Sequence, residues 1–234
     1  MRTKLFGVLL AGMALVGGSA RAGEEHGTAL YHAFTLESDY GAGQHGPVAR
    51  WDLDGWIGGD DHKLWLKAEG EQNDGRLEQS EFWAMYSRNI ATFWDVQAGV
   101  RHDTQPVATS YVVVGVQGLA PYHIETEAHL FLSEDGDVSA RLRGETDFLW
   151  TQRLMSRPYA ELNLFAQDVA DQEVGAGLAT AEIGVQTRYE IRREFAPYVD
   201  VRYERKLGET SSLARRHGED PADFIATFGL RLMF

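Results

Sequence analysis

From residue 28 onward, apolar and ionisable residues alternate one by one along much of the chain. In Lys63-Leu64-Trp65-Leu66-Lys67-Ala68-Glu69-Gly70-Glu71, the charges share the odd positions with Trp65, while Leu64, Leu66 and Ala68 take even ones. Tyr122-His123-Ile124-Glu125-Thr126-Glu127-Ala128-His129-Leu130 repeats the pattern. Val199, Val201 and Tyr203 oppose Asp200, Arg202 and Glu204; Arg141, Arg143, Glu145 and Asp147 oppose Ala140, Leu142, Gly144 and Phe148. A helix would scatter these charges around its circumference, whereas a strand gathers them on one face. The fold class is therefore all-β. Strands are expected near 29–40, 47–57, 62–71, 79–88, 93–102, 111–117, 122–132, 138–149, 156–167, 178–190, 197–206 and 224–234.

A soluble sandwich alternates too, so three further features choose a transmembrane antiparallel up-and-down β-barrel. The chain ends on Phe234, with Phe224, Phe228, Leu230 and Leu232 on the same strand face. This resembles the C-terminal assembly signal of outer-membrane barrels. Aromatic residues fall near strand ends (Tyr31, Tyr40, Trp51, Trp56, Tyr86, Trp94, Tyr111, Tyr122, Trp150, Tyr198), as two interfacial girdles require. Connections alternate in expected length. Residues 41–46, 72–78, 103–110, 168–177 and 207–223 are long. Gly58–Asp61, Asn89–Thr92, Gly118–Pro121 and Glu194–Pro197 are short. Ser133 to Asp137 breaks the rule as a tight Asp-Gly hairpin. Twelve strands fit best, with ten as the alternative. An even count puts both termini in the periplasm and the long acidic loops outside.

The N-terminus supplies the route to that membrane. Arg2 and Lys4 precede an apolar run from Leu5 to Val16, and Ala20-Arg21-Ala22 forms a small-residue cleavage site. Residues 1–22 read as an export signal, too short and wrongly flanked for a spanning helix. Residues 23–28 follow as a short periplasmic segment, and the barrel domain occupies 29–234. Without its signal the chain sets 35 acids against 19 Lys and Arg, a net charge of −16. Such a balance excludes a nucleic-acid partner, which needs a basic surface. Cysteine is absent, so thiolate metal sites and cysteine nucleophiles are excluded.

In a barrel the ionisable faces must point inward, because a charge on the lipid side costs roughly 2–4 kcal/mol at the midplane. The lumen is then lined by Asp52, Asp54, Glu69, Glu71, Asp95, Glu125, Glu127, Glu145, Asp147, Glu161, Asp200 and Glu204. Lys63, Lys67, Arg101, Arg141, Arg143, Arg188 and Arg202 balance part of this charge. Two readings stand side by side: a salt-bridge network filling a narrow bore, or a cation path whose carboxylates concentrate ions. Within it, His123, Glu125, Glu127 and His129 are spaced two apart on one expected strand, with Glu145 and Asp147 on its neighbour. Imidazole with carboxylate suits borderline ions such as Cu(II), Zn(II) and Ni(II). The alternative is a hydrogen-bonded row without metal. Only Met85, Met155 and Met233 follow the signal, so a thioether Cu(I) site has little support.

Enzyme motifs are missing: there is no G-x-S-x-G, H-E-x-x-H or Walker A sequence. A lipid-facing hydrolase would need a Ser–His pair near the outer rim, and Ser80, Ser87 and Ser139 have no evident His partner. Asp60-Asp61-His62, Glu24-Glu25-His26, Glu219-Asp220 and the acids Asp168, Asp171 and Glu173 read as solvated loop groups.

Several blocks resemble the copper resistance protein B family. They are Trp51-Asp52-x-Asp54-Gly55-Trp56-Ile57-Gly58-Gly59-Asp60, Lys63 to Glu71, Tyr86-Ser87-Arg88, and Phe93-Trp94-Asp95 through Arg101. Gly115 to Tyr122 and Glu190 to Tyr198 complete the set. The resemblance runs from about residue 27 to the C-terminus. It implies an outer-membrane barrel that defends against excess copper by binding or passing copper ions. Outer-membrane lipids, copper ions and a periplasmic copper-handling protein are the expected partners, and the missing motifs give no expectation of enzymatic activity. Many members begin with a long His- and Met-rich segment. Here only Gly23 to Thr28 precede the first strand, so the barrel itself is expected to handle the metal. The favoured residues are His123, Glu125, Glu127, His129, Glu145 and Asp147, with Asp52, Asp54, Glu69 and Glu71.

Overall fold

The computed structural model describes residues 30–234; the expected export signal and the segment 23–28 lie outside the described residues. In chain order the strands are β1 (Tyr31–Gly43), β2 (Gly46–Gly58), β3 (His62–Asn73), β4 (Arg76–Ala91), β5 (Trp94–Gln105), β6 (Thr109–Ala120), β7 (Ile124–Ser133) and β8 (Val138–Glu145). There follow β9 (Phe148–Leu149), β10 (Leu154–Phe165), β11 (Gly177–Tyr189), β12 (Phe195–Lys206) and β13 (Ala222–Met233). Among the described residues one α-helix, α1 (Gly208–His217), sits between β12 and β13. Strands β8 and β9 are two pieces of one stave, both paired to β10. The sheet thus has twelve antiparallel staves, and β13 pairs back onto β1 to close it. Phe234 seals the seam: its N–H donates to Phe34 O at 3.0 Å, its carbonyl accepts from Phe34 N at 2.9 Å, and the two rings stack. Closure leaves no unpaired edge, which is what a lipid-embedded sheet requires.

Alternation did locate the staves, but the lengths of the connections need correction. Residues 41–46 and 72–78 are not long loops: Gln44-His45 and Asp74-Gly75 alone turn the chain. Asp74 and Gly75 both take positive φ (45° and 79°), the backbone of a tight two-residue hairpin. Likewise only residues 106–108 join β5 to β6. The strands carry on past the apolar band as polar, fully paired ribbon, and polar ribbon reads like loop in a sequence. The long connections are 166–176 and 207–221, both in the second half. They lie at the end of the barrel opposite Tyr31 and Phe234, the end that bacterial outer-membrane barrels turn to the extracellular side.

The two faces sort as alternation demands. Val112, Val114, Leu130, Leu132, Ile183, Val185, Val199, Phe228 and Leu230 are exposed on the outside, where acyl chains take the place of water. Lys67, Glu81, Arg141, Arg188, Asp200 and Arg202 are buried inside. Three aromatics expected in the girdles, Trp56, Tyr111 and Tyr198, instead point inward; Tyr111 and Tyr198 are buried, and the Trp56 ring centre lies 5.4 Å from the Lys63 ammonium. Tyr198 is held there by its hydroxyl donating to Asp39 Oδ2 at 2.9 Å and by the gap at Gly229, where a Cβ would lie 2.4 Å from the ring.

Inside, the β4–β7 side is filled. Trp83, Met85, Tyr111, Val113 and Phe131 pack together, with Trp65 against them. The Arg101 guanidinium lies 4.9 Å from the Tyr111 and Phe131 ring centres and is gripped by Asp103 through two 2.6 Å hydrogen bonds. Cation–π contact and a bidentate carboxylate together let an arginine stand among aromatic rings. Connection 166–176 folds over this plug, with Gln172 Nε2 donating to the Tyr111 hydroxyl at 2.7 Å. The free bore runs beside this plug, with Trp83 in its wall.

Candidate functional site

Strand pairing explains why inward charges meet across the bore. Each stave contributes an inward residue at every second position, and a narrow barrel brings facing staves within side-chain reach. Lys67 on β3 reaches Glu127 on β7 at 2.7 Å, and also Asp54 at 3.3 Å. Arg202 on β12 reaches Glu71 on β3 at 2.9 Å, and Arg50 on β2 reaches Glu182 on β11 at 3.4 Å. Arg141 on β8 reaches Glu81 on β4 at 2.9 Å and Glu69 on β3 at 3.3 Å. Apart from Lys67–Asp54, which joins neighbouring strands, each bridge spans four or five of the twelve staves.

Two larger cavities and a small third one of about 50 Å³, which has Arg50, Arg143, Arg157 and Arg202 in its walls, lie between these bridges. The upper is an open vestibule of about 1020 Å³ at the extracellular end, with Glu71, Glu78, Glu182, Glu204, Glu219 and Asp223 among its walls. The lower, about 260 Å³, is lined by seven of the ten expected site residues: Asp52, Asp54, Glu69, Glu125, Glu127, His129 and Glu145. Glu71 belongs to the vestibule. Asp147 sits at the break between β8 and β9, clamped by Arg157 at 2.8 Å and Arg188 at 2.7 Å. His123 leaves the row altogether. It lies in the turn Pro121–His123 with φ 59°, exposed at the periplasmic end, while Glu125, Glu127 and His129 stay on β7.

His129 is the most defined member. It is buried, edge-on to Trp83 with ring centres 5.4 Å apart, and seated over Gly115, where a Cβ would lie 2.4 Å from its Cδ2. Gln97 Nε2 donates to Gln117 Oε1 at 2.9 Å, so Gln97 Oε1 is the acceptor for His129 Nε2–H at 2.8 Å. That hydrogen bond puts a proton on Nε2, so in the neutral ring Nδ1 carries the lone pair, 4.0 Å from Glu127 Oε2. Most carboxylates beside it are already paired: Glu127 and Asp54 with Lys67, Glu69 with Arg141, Glu145 with Arg143 and Arg157. Among the described residues, Asp52 and Glu125 are the carboxylates of this cavity with no Lys or Arg within 4.0 Å. No group of three or more His, Asp or Glu among the described residues is gathered as a ready-made metal cage.

One pair escaped the sequence reading. His102 Nδ1 and Ser110 Oγ, on the outer face near the extracellular rim, are 3.1 Å apart. The Ser110 backbone N–H is taken by Glu134 Oε1 at 3.1 Å. The only sign in the sequence was that both residues sit on outward positions; their adjacency needs the β5–β6 register, which pairs them.

With this geometry in place, comparison with known proteins fixes the family. The family model described as Copper resistance protein B precursor (CopB) matches residues 31–234. The chain belongs to the copper resistance protein B family. Copper resistance protein B of Escherichia coli is 42% identical over 185 residues, covering 79% of this chain and 62% of that protein. The chain thus spans under two thirds of the E. coli protein's length. The Copper resistance protein B homolog of Pseudomonas syringae pv. tomato (strain ATCC BAA-871 / DC3000) is 37% identical over 235 residues, covering 100% of this chain and 80% of that protein. Among solved structures, the NanC porin aligns with TM-score 0.58 at 14% identity, covering 85% of this chain and 98% of the porin. The KdgM porin aligns with TM-score 0.55 at 10% identity, covering 86% and 99%. At such identities the porins show the fold alone: an outer-membrane β-barrel. As a member of this family with that fold, the chain is located in the outer membrane.

Proposed function

We propose that this barrel serves copper tolerance by holding copper ions weakly in its acidic lumen and passing them along it. Membership of the copper resistance protein B family across residues 31–234 is the observation that carries the reading. The lumen chemistry supports it. Vestibule carboxylates draw cations towards the bore. Below them, the His129 Nδ1 lone pair and Glu127 give an imidazole–carboxylate contact suited to Cu(II), with Asp52, Asp54, Glu125 and Glu145 around it. Lys67 already occupies Glu127, so a copper ion must compete with an ammonium group; a path needs that weakness, because tight binding would trap the ion. Glu69 and Glu71 serve the vestibule floor, and Asp147 and His123 the periplasmic end, where a copper-handling protein would receive the ion. Copper is cargo in this scheme, and no organic cofactor takes part. Cells lacking their own homologue test it: expressing this chain should restore growth in copper, and His129→Ala should restore less. Equal growth with and without the chain would reject it.

The paired state of most carboxylates favours a second reading, a narrow cation bore without metal preference. A lipid-facing hydrolase would rest on His102 and Ser110, whose imidazole has no carboxylate partner among the described residues. Labelling of Ser110 by a fluorophosphonate would support that activity, and an unlabelled protein would dispose of it.

A further inference from the structure

The vestibule and the lower cavity have three lining residues in common: Glu69, Arg141 and Glu161. Where the two cavities meet directly, a single guanidinium and two carboxylates form their shared wall. Arg141 leaves β8 and crosses to Glu69 on β3, five staves away. It is 9% exposed, with Nε donating to Asn163 Oδ1 at 3.1 Å and lying 3.5 Å from Glu161.

We propose that Arg141 is the ion barrier of this barrel, and that a cation passes only when the guanidinium leaves Glu69 and Glu161 and withdraws onto Glu81. A fixed positive charge at a constriction repels cations, and here it stands in the wall that the two acidic chambers share; the other connection, through the third cavity of about 50 Å³, has Arg50, Arg143, Arg157 and Arg202 in its walls. The contacts are graded in a way that permits the movement. Glu81 holds Arg141 bidentately, at 2.9 and 3.2 Å, on the filled side of the lumen. Glu69 and Glu161 are more distant, at 3.3 and 3.5 Å, on the open side. Trp83, with its ring centre 5.5 Å from the guanidinium, offers a further resting surface beside Glu81. A cation arriving from the vestibule meets Glu69 and Glu161, competes for their oxygens, and leaves Arg141 its stronger partner. The ion is then between the two carboxylates and faces the lower cavity.

This inference rests on the proposed cation path, and K⁺ is chosen as the test ion so that its outcome is independent of copper preference. Purified barrels in planar bilayers under a KCl gradient are compared as wild type, Arg141→Gln, and Arg141→Gln with Glu81→Gln. The double variant removes both members of the tightest pair, so Glu81 is not left as a buried unpaired charge; Arg101 keeps Asp103, Glu161 keeps Arg143, and Glu69 alone loses its basic partner, on the open side of the lumen. Heat-modifiable gel mobility identifies folded barrels. Either folded variant should conduct about tenfold or more above wild type, with a reversal potential shifted towards that of K⁺. Folded variants conducting no more than wild type would overturn the proposal. So would a wild-type barrel that conducts K⁺ steadily at an open-bore level, a result that needs no variant. Arg141 as barrier with equal Cu²⁺, Zn²⁺ and Mg²⁺ flux through the opened variant would sink the copper reading and leave the barrier standing.

Discussion

Lys67 Nζ on β3 stands 2.7 Å from Glu127 Oε2 on β7, four staves away around the wall. Lys67 is buried, and it also neutralises Asp54. Replacing it with Met strands two carboxylates, so Lys67→Met should destabilise the barrel by about 3–5 kcal/mol. Adding Glu127→Gln should recover much of that loss. Urea titration of heat-modifiable mobility checks both. Lys67→Met should also retain more Cu²⁺ after dialysis than wild type, because it frees Glu127 beside His129. Unchanged retention would remove Glu127 from the copper contact.

His129 and His123 are predicted to differ. His129→Ala removes the Nδ1 lone pair from the lower cavity and should lower Cu²⁺ retention. It also leaves Gln97 Oε1 without its donor, at a cost of about 1–3 kcal/mol. His123→Ala, on an exposed turn, should change stability by less than about 0.5 kcal/mol. Copper retention in the two single variants, measured on folded barrels, separates them. Equal losses would contradict the placement of His123 outside the row.

Gly115 tests how the imidazole is seated. A Cβ there would approach His129 Cδ2 to 2.4 Å and the Ala128 carbonyl to 2.5 Å. Gly115→Ala should therefore cost about 1–3 kcal/mol, by displacing the ring or parting β6 from β7. A thermal midpoint equal to wild type would show that the contact is slack.

At the vestibule rim, Lys206 Nζ lies 2.8 Å from Glu219 Oε2, in the connection that carries α1. The Lys206 ammonium holds the Glu219 carboxyl below its ordinary range. A depressed carboxyl contributes to stability above its unfolded pKa and loses that contribution as pH falls through the lowered value. Both groups are exposed, so the contribution is small. Carbon-13 titration should find Glu219 low in wild type and near its ordinary value in Lys206→Met. Identical titrations would dissociate the pair.

Much of the fold was legible because the inward–outward rule is written into every second residue. Leu64, Leu66 and Ala68 against Lys67, Glu69 and Glu71 needed no partner strand to be read. Where strands end was harder to see. The alternation of His123, Glu125, Glu127 and His129 runs unbroken through a turn, since a period of two says nothing about φ, and His123 has left the strand. Gln72 and Asn73 looked like loop because paired ribbon above the membrane is polar on both faces. The bridges were out of reach for another reason. Lys67 and Glu127 are 60 residues apart, and Arg141 and Glu69 are 72 apart. Only closure of all twelve staves sets which inward residues meet. Sequence shows an acidic lumen; the pairing that neutralises most of it depends on register.

Metal flux through the purified barrel addresses the account most directly. Liposomes containing the protein and an internal chelating dye are exposed in turn to Cu²⁺, Zn²⁺ and Mg²⁺. The account predicts faster uptake of Cu²⁺ than of Mg²⁺, and a loss of that preference in His129→Ala. Identical rates for all three ions, unchanged by His129→Ala, would contradict it.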